Sequence, residues 1–290
     1  MKKLVLGTRG SALALVQADL TELALRAAFP QLELSREVVT TSGDRGIVAD
    51  ARAGLKGAFV KEIEEALQAG RVDVAVHSLK DVPGQDVVGL MIAAVLERAP
   101  VDDLLIWRGD AERVRARVGT SSVRRAHQLR WLRPELEPVE LRGNVPTRLQ
   151  KLRDGVCEAA MLAEAGIVRL GIDLAREGFF VEKPAMYPAI GQGAVALQCR
   201  VEDAETRGRL GAINHGPTWL RIVAERELLR LLDGDCQMPV GVRTELREGV
   251  LTMEAVLFVE GEEAPRTGKA MGAEDEGLGV AREVFWQLKI

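Results

Sequence analysis

Along the first hundred residues, short apolar runs take turns with longer stretches in which apolar residues return every third or fourth position. Residues 3–7 (KLVLG) predict a buried strand, and SALALVQADLTELALRAAF after it has helical spacing with Ser11 as its N-cap. LELSREVV, 32–39, alternates as a strand does. AFVKEIEEALQAG, 58–70, predicts an amphipathic helix with Phe59, Ile63, Ala66 and Leu67 on one face and Gly70 as its stop. VDVAVH is another buried strand and delivers SLKDVP at its end. Between these elements, residues 40–57 carry four glycines (Gly43, Gly46, Gly54 and Gly57) and no clean period. A loop of that length in a compact domain is a lid or is disordered.

The second hundred residues repeat this order. RARVGTSS is a strand running into a turn, VRRAHQLRWLR a helix stopped by Pro134, and LEPVELRGN a strand and turn. Asn144 caps VPTRLQKLRDG, with Pro146 suited to a first helical turn and Gly155 to a stop. CEAAML is a strand that feeds the helix AEAGIVRLG. LVLGTRGS aligns with RVGTSS, and EALQAGRVDVAVHS with KLRDGVCEAAMLAE, which reads as two copies of one α/β unit. PAIGQGAVALQCR, 188–200, reads as a segment crossing back to the first unit. From about residue 211 a helix, strand-like runs and a closing helix form a third, smaller α/β domain.

Composition narrows the function classes. At 290 residues, 47% hydrophobic and 28% charged, the chain reads as globular with room for two or three cores. A net charge of −4 disfavours a broad nucleic-acid surface. No apolar run reaches the ~20 residues of a membrane span, and MKKLVLGTRGSALAL lacks an unbroken apolar signal segment, so a cytoplasmic location is expected. Cys157, Cys199 and Cys236 are far apart with no CxxC spacing, against a disulfide framework or a zinc site. His77, His127 and His215 are scattered and read as structural, with no metal triad.

The candidate chemistry is anionic recognition. Both repeats put hydroxyl or glycine residues where a strand gives way to a helix, a junction whose free N–H groups and dipole favour an anion. Ordinary capping would explain Ser11 or Ser122 alone. Arg9, Arg124, Arg125, Arg142 and Arg148, however, crowd these helix starts, where cations face the positive end of the dipole. Something negative is expected among them: a carboxylate-rich ligand, with phosphate as the competitor. HSLKDVP sets Lys80 and Asp81 at a strand's C-terminal end, the ligand-binding edge of a parallel sheet. Asp81 suits a general acid or a charge stabiliser there; the alternative is a local ion pair with Lys80.

GTRGS, HSLKDVP, GTSSVRR, LRGNVPTRL, GQGAVALQCR and the turn LLDGDCQMPVG follow in this order across almost the whole chain. Together they resemble the hydroxymethylbilane synthases, also called porphobilinogen deaminases. The resemblance implies an α/β fold of two periplasmic-binding-protein-like (type II) lobes flanking an active-site cleft, plus a small α/β C-terminal domain. Residues 1–96 and 188–210 would form the first lobe, 97–187 the second and 211–290 the C-terminal domain. The implied enzyme is a transferase of heme and other tetrapyrrole biosynthesis. It condenses four porphobilinogen molecules head to tail onto a dipyrromethane held by a thioether at Cys236. Ammonia is released, and hydrolysis then frees the linear tetrapyrrole.

By the same resemblance Asp81 is catalytic, stabilising positive charge on pyrrole nitrogens. Ser78, Lys80, Asp81, Thr120, Ser122, Arg124, Arg125, Arg148 and Gln192 contact the cofactor. Arg9, Ser11, Ser121, Arg142 and Arg169 bind the acetate and propionate groups of porphobilinogen and the growing oligopyrrole chain. Gly43, Gly46, Gly54, Gly57 and Phe59 belong to a lid, and the protein is a monomer. Two departures stand out: Asp235 where relatives often carry a second glycine before the cysteine, and Pro146. A second carboxylate beside Cys236 is expected to raise the thiol's pKa. The rival readings are a non-catalytic two-lobed anion-binding protein and a phosphate-handling enzyme; the second lacks a P-loop or Gly-x-Gly-x-x-Gly stretch.

Overall fold

The computed structural model describes residues 3–42, 60–85, 87–109, 113–233 and 238–289. The predicted alternation organises the first half. β1 (Leu4–Thr8), α1 (Ala12–Ala28), β2 (Leu34–Val38), α2 (Lys61–Gln68), β3 (Val74–Ser78) and β4 (Leu90–Val95) come first. β5 (Asp103–Arg108), β6 (Arg117–Gly119), α3 (Val123–Leu132), β7 (Glu137–Val139), α4 (Val145–Arg153), β8 (Ala159–Ala163), α5 (Glu164–Arg169) and β9 (Phe179–Glu182) follow. β10 (Val195–Arg200) and α6 (Ala204–Ala212) lead to a last unit. It comprises α7 (Gly216–Leu231), β11 (Val240–Arg247), β12 (Val250–Leu257), β13 (Arg266–Ala273) and α8 (Gly277–Lys289).

Two five-stranded sheets share one design. Their orders are β2-β1-β3-β10-β4 and β7-β6-β8-β5-β9. In each, three neighbouring strands pair in parallel, an antiparallel strand fills the fourth position, and the edge strand beyond it runs in the direction of the first three. That strand arrives from the other sheet: β5 follows β4, and β10 follows β9. The chain therefore crosses between lobes twice, once on each side of the second sheet's strands. This is the two-lobed, periplasmic-binding-protein-like (type II) architecture, completed by the antiparallel β11-β12-β13 sheet and its two helices.

Helices cover both faces of the lobe sheets, so the inner strands are mostly apolar, with buried His77 and Gln198 as polar exceptions. Val74 and Val76 pack with Leu4, Leu6 and Leu25 of α1 on one face, while Ala75 packs with Ile63, Ala66 and Leu67 of α2 on the other. In the second lobe Ile106 meets Leu149 and Leu152 of α4, and Leu105 and Trp107 meet Leu129 of α3. The third core joins α7 and α8 to the meander through Leu228, Val242, Met253 and Val284. Glycine is required where the crossings touch. Gly193 has φ +83°, and a Cβ there would lie 2.5 Å from the carbonyl oxygen of Ala99. No helix among the described residues is long and apolar enough to cross a membrane.

Candidate active site

The C-terminal edges of the parallel strands in the two lobes open onto one cavity of about 1050 Å³. That is the upper end of ordinary ligand sites, ~300–1,000 Å³. Its walls come from both lobes and from the third unit, which contributes Arg226, Leu229, Met238 and Val240.

The first lobe places Arg9, Ser11, Ser78, Lys80 and Asp81 on the cavity. Ser11 caps α1, its Oγ accepting from the Ala14 N–H at 3.3 Å. Ser78 is held by Gln17, whose side-chain amide donates to Ser78 Oγ at 2.8 Å. Lys80 and Asp81 sit on a short 3₁₀ turn directly after β3, both partly exposed to the cleft. Burial, reinforced by Arg125, pushes the Lys80 ammonium down to about 8, with Asp81 and Asp103 opposing the fall. Among the described residues Asp81 makes no hydrogen bond or ion pair, so the local pair with Lys80 does not form.

The second lobe adds Thr120, Ser121, Ser122, Arg124 and Arg125 from the β6–α3 junction. Ser122 caps α3 by accepting from Arg125 N, and Thr120 Oγ1 accepts from Ser122 N at 3.1 Å. Arg142 and Arg148 flank Asn144, the cap of α4. Arg148 donates to Ser121 Oγ at 3.2 Å and to the Gly143 carbonyl at 2.7 Å. Burial, then the Arg125 charge, lowers its pKa to about 10. Arg142 is half-exposed at the rim and pairs with Glu140. Arg169 and Gln192 bring the lobe-crossing segment into the wall, with Arg169 donating to the Gly193 carbonyl at 2.7 Å.

Arg124 and Arg125 are not solvated surface cations. Both are buried against Asp103, which receives Arg124 Nη1 at 2.6 Å and Arg125 Nη2 at 2.7 Å. Burial pushes the Asp103 carboxyl up, but the two guanidiniums outweigh it and hold the acid well below the usual carboxylate range. Sequence reasoning missed Asp103, and it missed Gln17. The available signal was the acid pair Asp102–Asp103 just before the apolar run LLIW. Two adjacent arginines that become buried need such an internal partner.

The remaining predicted groups separate cleanly. His77 is fully buried, with Nε2 3.0 Å from Gln198 Oε1, and burial lowers its pKa to about 4. His215 caps α7, and His127 lies against Phe258. No cluster of metal-ligating side chains occurs among the described residues. Cys236, Asp235 and the predicted lid residues Gly43, Gly46, Gly54, Gly57 and Phe59 lie outside the described residues.

This arrangement can hold a carboxylate-rich ligand along a row of cations, with Asp81, a carboxylate without a hydrogen bond among the described residues, beside it. The sequence matches "Porphobilinogen deaminase, dipyromethane cofactor binding domain" over residues 4–208 and "Porphobilinogen deaminase, C-terminal domain" over residues 219–285. It is 43% identical over 289 residues to a porphobilinogen deaminase of Syntrophobacter fumaroxidans, covering 98% of this chain and 93% of that one. It is 44% identical over 286 residues to one of Desulforudis audaxviator, covering 96% and 92%. Among solved structures, an ancestral arginine-binding protein bound to arginine aligns with a TM-score of 0.43 at 12% identity, over 79% of this chain and 96% of that one. The family match, over most of the chain, leads to one conclusion: this chain belongs to the porphobilinogen deaminase family.

Proposed function

We propose that, within its family's polymerisation of porphobilinogen, this chain anchors its dipyrromethane through Cys236 and uses Asp81 as the catalytic carboxylate. The observation that carries the reading is the meeting, in one cleft, of the cations at three helix starts with the Asp81 carboxylate, which makes no hydrogen bond among the described residues. The family's cofactor fits these walls. Its acetate and propionate groups suit Lys80, Arg124, Arg125 and Arg148, and its ring N–H groups suit Asp81. Arg124 Nε and Gln192 Oε1, on two residues that line the cavity, are buried without a partner among the described residues. When bound, the dipyrromethane supplies the nucleophilic pyrrole carbon that takes up each unit as ammonia leaves.

The protein's own groups then have separable tasks. Arg9, Ser11, Ser121, Arg142 and Arg169 hold the side chains of incoming porphobilinogen and of the lengthening chain; Ser78, Thr120, Ser122 and Gln192 support the cofactor. Asp81 accepts a hydrogen bond from a pyrrole N–H and stabilises the positive charge that develops there as ammonia departs. By the family resemblance, Gly43, Gly46, Gly54, Gly57 and Phe59 are assigned to keeping water from the reacting centre. Residues 1–96 with 188–210, 97–187 and 211–290 serve as the three working units, a division supported by the pairing of β10 with β3 and β4. The protein acts as a cytoplasmic monomer without nucleic-acid partners, a reading supported by its modest negative charge and the family resemblance.

Intact mass spectrometry tests the reading. The purified protein carries an excess equal to two linked pyrrole units, and added porphobilinogen produces a ladder of further units with one ammonia released per unit. A protein that gains no mass and releases no ammonia points back to a non-catalytic anion binder. Lys80 adds a pH signature. It is cationic below about 8 and neutral above, so anion affinity falls as pH rises through that value. In unloaded protein, where no cofactor carboxylate faces Lys80, the affinity with which the two-pyrrole group is taken up drops about 10- to 100-fold on the alkaline side, the worth of a charge-assisted hydrogen bond. Lys80→Arg, which stays charged, removes that limb; a limb that persists in the variant assigns it elsewhere.

A further inference from the structure

Asp103 is the first residue of β5, just past the first lobe crossing, and is 1% exposed. It lies behind the cavity wall, while the residues it holds form that wall. Arg125 reaches its Oδ1 with Nη2 at 2.7 Å and Nε at 3.0 Å, and Arg124 reaches its Oδ2 with Nη1 at 2.6 Å. Gln192, in the second crossing, donates to the same Oδ1 at 3.0 Å and to the Val101 carbonyl at 2.6 Å. Each guanidinium is also fixed from another side: Arg124 Nη1 donates to the Tyr187 carbonyl at 2.6 Å, and Arg125 Nη1 to the Met161 carbonyl at 3.0 Å.

We propose that Asp103 is the positioning residue for the cleft's arginine pair, locking Arg124 and Arg125 to both lobe crossings so that they meet pyrrole carboxylates in one preset geometry.

Three physical points support this. Adjacent arginines at the start of α3 repel each other and the helix dipole, so without an internal acid they would swing toward solvent. One carboxylate shared by two guanidiniums leaves the group net cationic, and Arg124 keeps a buried Nε with no partner among the described residues. The pair is thus anchored without being neutralised. Finally, a buried ion cluster is a weak source of stability, because desolvation offsets attraction; its firmer effect is on geometry. Ordering a long side chain costs about 2- to 13-fold in affinity, so two arginines ordered in advance are worth about tenfold or more.

The inference rests on the reading that Arg124 and Arg125 hold carboxylates of the cofactor or substrate, and Arg124→Ala tests that reading separately. The proteins to compare are the full-length wild type, Asp103→Asn, Asp103→Glu and Arg124→Ala. The measurements are the fraction carrying the two-pyrrole mass as purified, KM for porphobilinogen, and the thermal melt. Asp103→Asn keeps the shape and loses the charge. It is expected to melt cooperatively above the assay temperature while its loaded fraction falls, or its KM rises, at least tenfold and by more than kcat falls. Asp103→Glu, which restores charge with the carboxylate displaced by one methylene, is expected to recover only part of that loss. A folded Asp103→Asn with wild-type loading and KM overturns the proposal and leaves the acid a structural role. If Asp103→Asn shows no cooperative melt, Asp103→Glu decides: wild-type loading and KM overturn the proposal, and a several-fold defect sustains it. Wild-type loading and KM in Arg124→Ala would defeat the carboxylate reading itself, whatever the Asp103 variants do.

Discussion

Changing Cys236 to alanine removes the two-pyrrole mass from the purified protein and reduces porphobilinogen turnover to background. The chain has three cysteines, and the other two are unsuited to the task. Cys157 and Cys199 are buried in the two lobe cores. Burial raises both thiols, that of Cys199 to about 11 with help from Asp203, so neither is a ready nucleophile near neutrality. The described residues on either side of Cys236 lead to the cleft. Asp233, the last described residue before Cys236, accepts from the Gln85 side-chain amide at 3.0 Å, a few residues beyond Asp81. Met238, two residues after Cys236, lines the cavity. A thioether also withstands a reducing compartment that would open a disulfide. Cys157→Ala and Cys199→Ala serve as controls and keep the added mass. Retention of the mass by Cys236→Ala would place the anchor elsewhere; an unmodified wild type that gains no mass with porphobilinogen would remove the anchor altogether.

The parts of this fold that announce themselves locally were legible in the chain. β8 is an uninterrupted apolar run and β3 opens on one, and the caps Ser11, Ser122 and Asn144 sit where their hydroxyl or amide oxygens accept from the third residue on. Residues 90–95 and 104–107 are apolar too, but periodicity alone cannot assign so short a run to strand or helix. β13 was invisible for a different reason. Its sequence RTGKAMGA carries little apolar signal because α8 packs too closely for larger residues: a Cβ on Gly268 would lie 2.9 Å from the Val284 carbonyl oxygen. The site divides in the same way. The arginines flanking helix starts are local and stood out, whereas their internal partner is long-range. Asp103 lies 21 and 22 residues from the arginines it holds, and Gln17 is 61 residues from Ser78.

That long-range order reaches the third unit. Arg98, in the first crossing, makes a buried bidentate pair with Glu225 of α7 at 2.6 and 3.0 Å and donates to the Gln192 carbonyl at 2.8 Å. Glu225 also accepts from the Gly191 N–H at 2.8 Å. The helix that precedes Cys236 in the chain is thereby fastened to both crossings, one of which carries Gln192 and the other leads into Asp103. The third unit and the cleft arginines share one mechanical reference.

Replacing Asp81 with asparagine slows ammonia release per loaded protein by about 10²–10⁴-fold, the range of a positioned proton-handling group, with lost charge stabilisation acting in the same direction. Normalising to the loaded fraction separates this step from any defect in acquiring the cofactor. The carboxylate sits at the end of β3's turn among Lys80, Arg125 and Arg148, cations that would otherwise oppose positive charge on a pyrrole nitrogen. One local negative charge offsets them where the reaction needs it; an amide offers a dipole of similar shape and no net charge. Because Asp81 is partly exposed and makes no hydrogen bond or ion pair among the described residues, the variant's stability should stay within about 0.5 kcal/mol of the wild type. The arginines differ in kind. On the proposed reading each binds side chains that do not react, so losing one chiefly raises KM, whereas losing Asp81 chiefly lowers kcat. Asp81→Glu, which restores the charge, recovers a measurable part of the rate. A rate within tenfold of the wild type in Asp81→Asn would remove this residue from the catalytic step. A large loss matched by a fall in melting temperature would assign it a structural role instead.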